Sequence, residues 1–151
     1  MSHSFSCVYL HIVFSTSKRM SFFQPQDLRE AMHAHVGSIV RGLECEPIEV
    51  GGPADHLHIL LKMGRTHHIG AVVKEIKRRS SIWTNESAFT NARFSWQKGY
   101  AAFSVSESMV GVVRDYIRNQ WEHHRRQSFQ EEFTVLLHKH GIPILDVPTW
   151  D

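Results

Sequence analysis

At 151 residues, with 42% hydrophobic residues and nine phenylalanines, the chain is sized for one domain over residues 1–151 with a core of its own. Its two cysteines, Cys7 and Cys45, exclude a disulfide framework and a cysteine zinc site, and point to a reducing cytosolic setting. The formal net charge is only +2, yet Lys62, Arg65, Lys74, Lys77, Arg78, Arg79, Arg93 and Lys98 face only Glu75 and Glu86 between residues 62 and 98, a local basic block suited to phosphate contacts or to a solvated helix face.

No charged n-region followed by an apolar run opens the chain, and no apolar stretch approaches the ~20 residues of a spanning helix. The expectation is a cytoplasmic protein without membrane contact. Residues 4–15 alternate, with Val8, Leu10, Ile12 and Phe14 on one face and Tyr9, His11 and Val13 on the other, which predicts a strand. Pro25 opens a helix that ends near Leu43, with Gly42 close to its end. Residues 44–50 form a second strand, stopped by Gly51-Gly52-Pro53, and residues 56–63 a third. Thr66 can cap a second helix that carries Ile69, Val72, Val73 and Ile76 and runs to about Asn85.

A fourth strand, broken around Gly99, is predicted over residues 94–105. Ser106 caps a helix spanning about 107–126, and a last helix covers about 129–139 before Gly141-Ile142-Pro143. The order is an α+β plan of the ferredoxin-like or RRM-like kind. One antiparallel sheet carries helices on one face and leaves the other for an active site.

His56 and His58 flank Leu57 on the third strand, so both point to one face about 6.6 Å apart along the chain. Leu57, Ile59 and Leu61 then turn into the core. Two imidazoles so placed can converge on one cation, although a solvated histidine pair on a sheet face has the same spelling. His67-His68 and His123-His124 diverge on a helix and are read as surface residues. The side chain of Asp55 is expected on the strand face opposite His56. His11 borders the site and is expected to make a structural hydrogen bond.

Tyr116 and Gln120 are four apart on a predicted helix and share a face. A tyrosine nucleophile with its usual pKa near 10 is ionised only about once in a thousand at neutral pH. It therefore needs help from a nearby charge. Two imidazoles and an amide are neutral ligands, so they would leave the full charge of a divalent ion directed at a phosphate. Lys74, Lys77, Arg78 and Arg79 are candidate contacts to a DNA backbone. Trp96 is a candidate either for base stacking or for the core.

Taken together these stretches resemble the single-tyrosine HUH transposases of bacterial insertion sequences, the IS200-like group that moves as single-stranded DNA. The matching stretches are Leu10-His11-Ile12-Val13-Phe14-Ser15-Thr16, Asp55-His56-Leu57-His58, Trp96-Gln97-Lys98-Gly99-Tyr100, Tyr116-Ile117-x-x-Gln120 and the residues from Phe129 to Ile142.

The resemblance implies a transposase in which Tyr116 attacks a DNA phosphate, forms a 5′-phosphotyrosine link and frees a 3′-hydroxyl. It implies Mg or Mn held by His56, His58 and Gln120, and no nucleotide cofactor. It also implies single-stranded DNA with hairpin ends as partner, and a homodimer in which the tyrosine helix of one subunit serves the histidines of the other. Related readings are a REP-associated or rolling-circle-type nicking enzyme. A reading of another class is a non-catalytic module binding single-stranded nucleic acid.

Overall fold

The computed structural model describes residues 3–87, 92–124 and 126–143. Four strands, β1 (Tyr9–Ser15), β2 (Glu46–Gly51), β3 (His56–Lys62) and β4 (Ala101–Val105), form one antiparallel sheet in the order β2-β3-β1-β4. The α+β class expected from the sequence is the one observed. The two hydrophobic strands lie at the centre, where both faces are covered and every backbone group has a neighbour.

One face packs under α1 (Gln26–Gly42) and α2 (Ile69–Glu86). Leu28, Met32, Val36, Ile39 and Val40 recur at helical spacing along α1, and Val72, Val73 and Ile76 do so on α2. They meet Leu10, Ile12 and Phe14 of β1 and Leu57, Ile59 and Leu61 of β3. Each of these strand side chains is worth roughly 1.5–3 kcal/mol when fully buried. The period-2 alternation that sends them into this core necessarily sends His11, His56 and His58 to the opposite face.

That opposite face is partly roofed by α5 (Phe129–Lys139), whose Phe129, Phe133, Leu136 and Leu137 pack on Val13, Ala101 and Phe103. Ser128 accepts a hydrogen bond from the Glu131 amide and its hydroxyl donates to the Glu131 carboxylate, an N-cap that starts this helix. Gly141, at φ 72°, ends it, as the sequence indicated.

Three elements differ from expectation. Only Ala101–Val105 of the predicted fourth strand joins the sheet, and Trp96 reaches β1 only as an isolated bridge to Thr16. The carbonyls of Gln97 and Gly99 are taken by the Lys77 ammonium instead of a neighbouring strand. The second helix begins after His68, without a side-chain cap from Thr66.

The single helix expected over 107–126 is divided: a 3-10 turn at Glu107–Met109, then α3 (Val110–Arg118), a break at Asn119 (φ −94°, ψ 15°), and α4 (Gln120–His123). No helix among the described residues is long and apolar enough to cross a membrane. The Pro148-Thr149-Trp150 tail lies outside the described residues.

Candidate active site

Register places the histidines. In β3, His58 lies opposite Val13 of β1 and Gly51 of β2, and His11 lies diagonal to it, opposite Leu60. His11 Nε2 and His58 Nδ1 are 2.8 Å apart. His11 therefore makes the expected structural hydrogen bond, and it makes it to a site residue.

Gly51 has a specific task. A Cβ there would stand 2.9 Å from both Cγ2 and the carbonyl oxygen of Ile117. The missing side chain lets α3 lie directly against β2. Ile117 is buried by this contact, and Tyr116 is carried to the edge of the histidine face, its ring 5.8 Å from that of His58. The tyrosine thus reaches the histidines of its own chain.

α4 is held by the Arg29 guanidinium, 4.0 Å above the Trp121 ring. This turns Gln120 and His124 inward. Gln120 is 1% exposed. Tyr116 and Gln120 meet as expected, but across a helix break and not along one helix.

The centre of the site is a residue that sequence reasoning passed over. Glu132 of α5 is 2% exposed, and its Oε1 lies 3.0 Å from His56 Nε2, 3.1 Å from His58 Nε2 and 3.0 Å from His124 Nε2. Its Oε2 accepts from the Gln120 amide at 3.0 Å and from the Tyr116 hydroxyl in a short hydrogen bond. A signal for it exists: Glu132 sits inside the apolar stripe of Phe129, Phe133 and Leu136, where an acidic residue has no place without buried partners. His124 was expected at the surface; it faces the site because the break at Asn119 re-aims α4. Asp55 was expected to point away. It precedes β3, is not bound by the strand alternation, and its Oδ1 meets His56 Nδ1 at 2.8 Å.

The electrostatics follow from burial and charge. Burial opposes the Glu132 carboxylate, but hydrogen bonds from His124, His56 and His58 outweigh it and hold the group well below the usual carboxylate range. Burial pushes His58 down to about 4, so it is neutral at physiological pH. Burial works on His56 the same way, but hydrogen bonds to Asp55 and Glu132 overcome it and raise its pKa. Tyr116 is raised by burial first and by the Glu132 charge second, which keeps the phenol protonated.

His56, His58, His124 and Glu132 each offer a ligand atom, all within 4.8 Å of one another, so this cluster can hold a metal ion. Two further observations fit a cation. Gln120 Oε1 is buried without a hydrogen-bond partner. Asp55, by accepting from His56 Nδ1, leaves His56 Nε2 as the donor atom, the usual arrangement behind a metal-bound histidine.

Two of the candidate DNA contacts have partners within the protein. The Lys77 ammonium donates to the carbonyls of Gln97 at 2.8 Å and Gly99 at 2.6 Å, and burial lowers its pKa to about 8. It ties a loop and does not face solvent phosphate. Trp96 is 9% exposed, packs edge-on against Phe14 and donates from Nε1 to Ser80 Oγ, so it belongs to the core.

Arg78 and Arg79 both pair with Glu75, and Lys74 is exposed. All three lie on α2, on the sheet face away from the histidines. Gln97, in the loop before β4, accepts from the Ser15 amide at 2.6 Å and so locks the end of β1. Beside Tyr116 opens a cavity of about 580 Å³, lined mainly by Val112, Val113, Val135, Leu136 and His140.

The chain is similar to known proteins in sequence and in fold. A family described as "Transposase IS200 like" matches residues 4–120. The transposases for insertion sequence element IS200 of Salmonella typhimurium (strain LT2) and Salmonella typhi are each 30% identical over 128 residues, covering 78% of this chain and 78% of theirs. Among solved structures, a candidate transposase from Deinococcus radiodurans R1 aligns with a TM-score of 0.63 at 21% identity, covering 80% of this chain and 96% of its own. A REP-associated tyrosine transposase bound to a REP hairpin aligns with a TM-score of 0.55 at 14% identity, covering 79% and 72%. With its sequence matched over most of its length and its tyrosine brought to a paired-histidine strand, the chain belongs to the IS200-like transposase family.

Proposed function

We propose that the protein cuts and rejoins single-stranded DNA through a covalent 5′-phosphotyrosine at Tyr116, assisted by a divalent cation, Mg or Mn, at His56, His58 and Gln120. The observation that carries this reading is the convergence of the Tyr116 hydroxyl and the imidazoles of His56 and His58 on one buried point, now filled by the Glu132 carboxylate.

In the proposed step the Tyr116 oxygen forms a bond to phosphorus, the bond from phosphorus to the 3′ oxygen breaks, and that oxygen leaves as a 3′-hydroxyl after taking up a proton. Glu132 Oε2, which already accepts from the phenol, is the nearest acceptor for the tyrosine proton. The reverse attack by a 3′-hydroxyl rejoins strands without water or ATP. A bound divalent cation supplies polarisation of the phosphoryl oxygens. The cavity beside Tyr116 has room for a base next to the cut phosphate, within the usual size of a ligand pocket. Lys74, Arg78 and Arg79 are proposed to contact the DNA backbone elsewhere on the molecule. The hairpin in the REP-associated relative supports hairpin-ended DNA as substrate. A cytoplasmic location is part of the same reading.

The test is a gel assay with a labelled single-stranded hairpin oligonucleotide from the element's own ends. Wild-type protein with Mn is expected to give a band of covalent protein–DNA that survives denaturation. Excess EDTA present from the start of the reaction is expected to prevent its formation. A mobility shift on a native gel, with no covalent band under any metal, would instead favour a binding module.

The homodimer is proposed on the same basis. The site closes within one chain here, so an exchanged arrangement needs movement of only the α3–α4 segment, which the break at Asn119 and the turn at Glu107–Met109 flank and divide. Light scattering is expected to give the mass of two chains at micromolar concentration; a mass of one chain would leave the self-contained site as the working form.

A further inference from the structure

We infer that Trp121, backed by Arg29, is a stacking platform for the nucleobase just 5′ of the cut, whose nucleotide carries the freed 3′-hydroxyl. The inference rests on the cleavage reading above and deepens it, by naming where the strand end that is not bound to Tyr116 is held.

Three observations carry it. First, the ring is firmly held and still accessible. The Arg29 guanidinium lies 4.0 Å from the centroid of the Trp121 ring and is itself anchored on the carbonyls of Phe23 at 3.0 Å and Gln24 at 2.9 Å. Although Arg29 covers one face, Trp121 is 41% exposed, so ring surface remains open for stacking. Second, Trp121 lines a cavity of about 260 Å³ together with Gln24, Asp55, His124 and Gln127. That is just under the ~300–1,000 Å³ of sites that enclose a drug-sized ligand, and suits a single ring system. The side-chain amides of Gln24 and Gln127 offer donors and acceptors to a base edge. Arg29 pairs with no carboxylate among the described residues, so its positive charge favours a phosphate nearby.

Third, the cavity lies on the side where the leaving strand must go. Tyr116 meets one oxygen of the Glu132 carboxylate, Oε2, while His56 and His124 meet the other, Oε1. The cavity beside Tyr116 therefore opens at one end of the reacting point. The Trp121 cavity, bordered by His124 and by the Asp55 that backs His56, opens at the other end. In phosphoryl transfer the attacking and leaving oxygens stand roughly in line. With Tyr116 attacking from its own side, the 3′ oxygen and its nucleotide depart on the opposite side, toward Trp121. A base stacked there keeps the freed 3′-hydroxyl beside the phosphotyrosine for the rejoining attack.

The experiment first maps the cut with wild-type protein and Mn, from the covalent band and the length of the freed strand. Binding is then read by fluorescence anisotropy with full-length Tyr116→Phe protein, which forms no covalent link. The hairpin oligonucleotides are intact or carry one abasic site, placed in turn on either side of the cut. The abasic site just 5′ of the cut is expected to weaken binding at least about 5-fold when Trp121 is present, as loss of one stacked base does. With Trp121→Leu added, the same abasic site is expected to change binding by less than ~2-fold, and with Trp121→Phe the full loss is expected to return. Quenching of tryptophan fluorescence by intact DNA is expected to shrink in Trp121→Phe, which carries the test if Trp121→Leu does not fold. Equal weakening of intact and abasic DNA by Trp121→Leu would mean that Trp121 only holds α4, and would overturn the inference. Unchanged quenching in Trp121→Phe, or an abasic effect confined to the nucleotide 3′ of the cut, would overturn it too. Either result beside a normal wild-type covalent band leaves the cleavage reading standing. No covalent band under any metal would overturn both, since no cut would then define a leaving strand.

Discussion

Tyr116→Phe is expected to abolish the covalent protein–DNA band, a loss of at least about 10³-fold that no metal concentration restores. The substitution removes one oxygen and little else. The ring still packs beside His58, and Glu132 keeps its contacts to His56, His58, His124 and Gln120. Native folding and binding of hairpin DNA should therefore persist within a few-fold of wild type. The measurement is band intensity on a denaturing gel, beside a filter-binding isotherm for the same oligonucleotide. A band of wild-type intensity in the variant would transfer the nucleophile to another residue and end the proposed mechanism.

Acidification of the metal-free protein is expected to be the largest effect on stability. His58 is held neutral at about pKa 4 by burial, against about 6.5 in an unfolded chain. Between those values the unfolded state binds the proton and the folded state does not, so stability falls as pH falls. For His58 alone the loss is about 2 kcal/mol by pH 5 and about 3 kcal/mol by pH 4. Half-buried His33, also lowered to about 4, and His11, held well below its ordinary value by burial, act in the same direction.

His56 has the opposite sign: its pKa is raised, so its contribution is fully present below about 6.5 and does not offset the decline there. Glu132, held low, adds a further loss as pH drops below the usual carboxylate range. Urea midpoints measured from pH 7.5 to 4 should fall steeply below 6.5. A flat profile down to pH 5 would mean that these imidazoles are charged in the folded state.

The sequence was most legible where one physical rule acted alone. Alternation located β1, and the period of two along β3 placed His56 and His58 on one face. Pro25 at the start and Gly42 near the end did the same for α1. Legibility failed where long-range contacts overrode local pattern. Nothing near residue 97 announces that Lys77 will claim the carbonyls of Gln97 and Gly99 and shorten β4.

Adjacent histidines on an unbroken helix would diverge, so His124 could be placed only once the break at Asn119 was known. Asp55 was treated as a strand residue although β3 starts one residue later. Glu132 was the one miss with a visible signal. It stands where Leu or Phe would extend the stripe of α5, and an acidic residue there marks a buried polar partner.

The N-cap at Ser128 acts as a rotational zero for α5. A helix advances about 100° per residue, so the residue at which it starts decides which side chain faces the sheet. Started at Ser128, α5 turns Glu132 inward and Glu131 outward. Insertion or deletion of one residue in the first turn, between Ser128 and Glu132, would rotate Glu132 away from the histidine cluster without altering any residue of the site. The spacing from an exposed cap to Glu132 thus governs the chemistry of a buried centre.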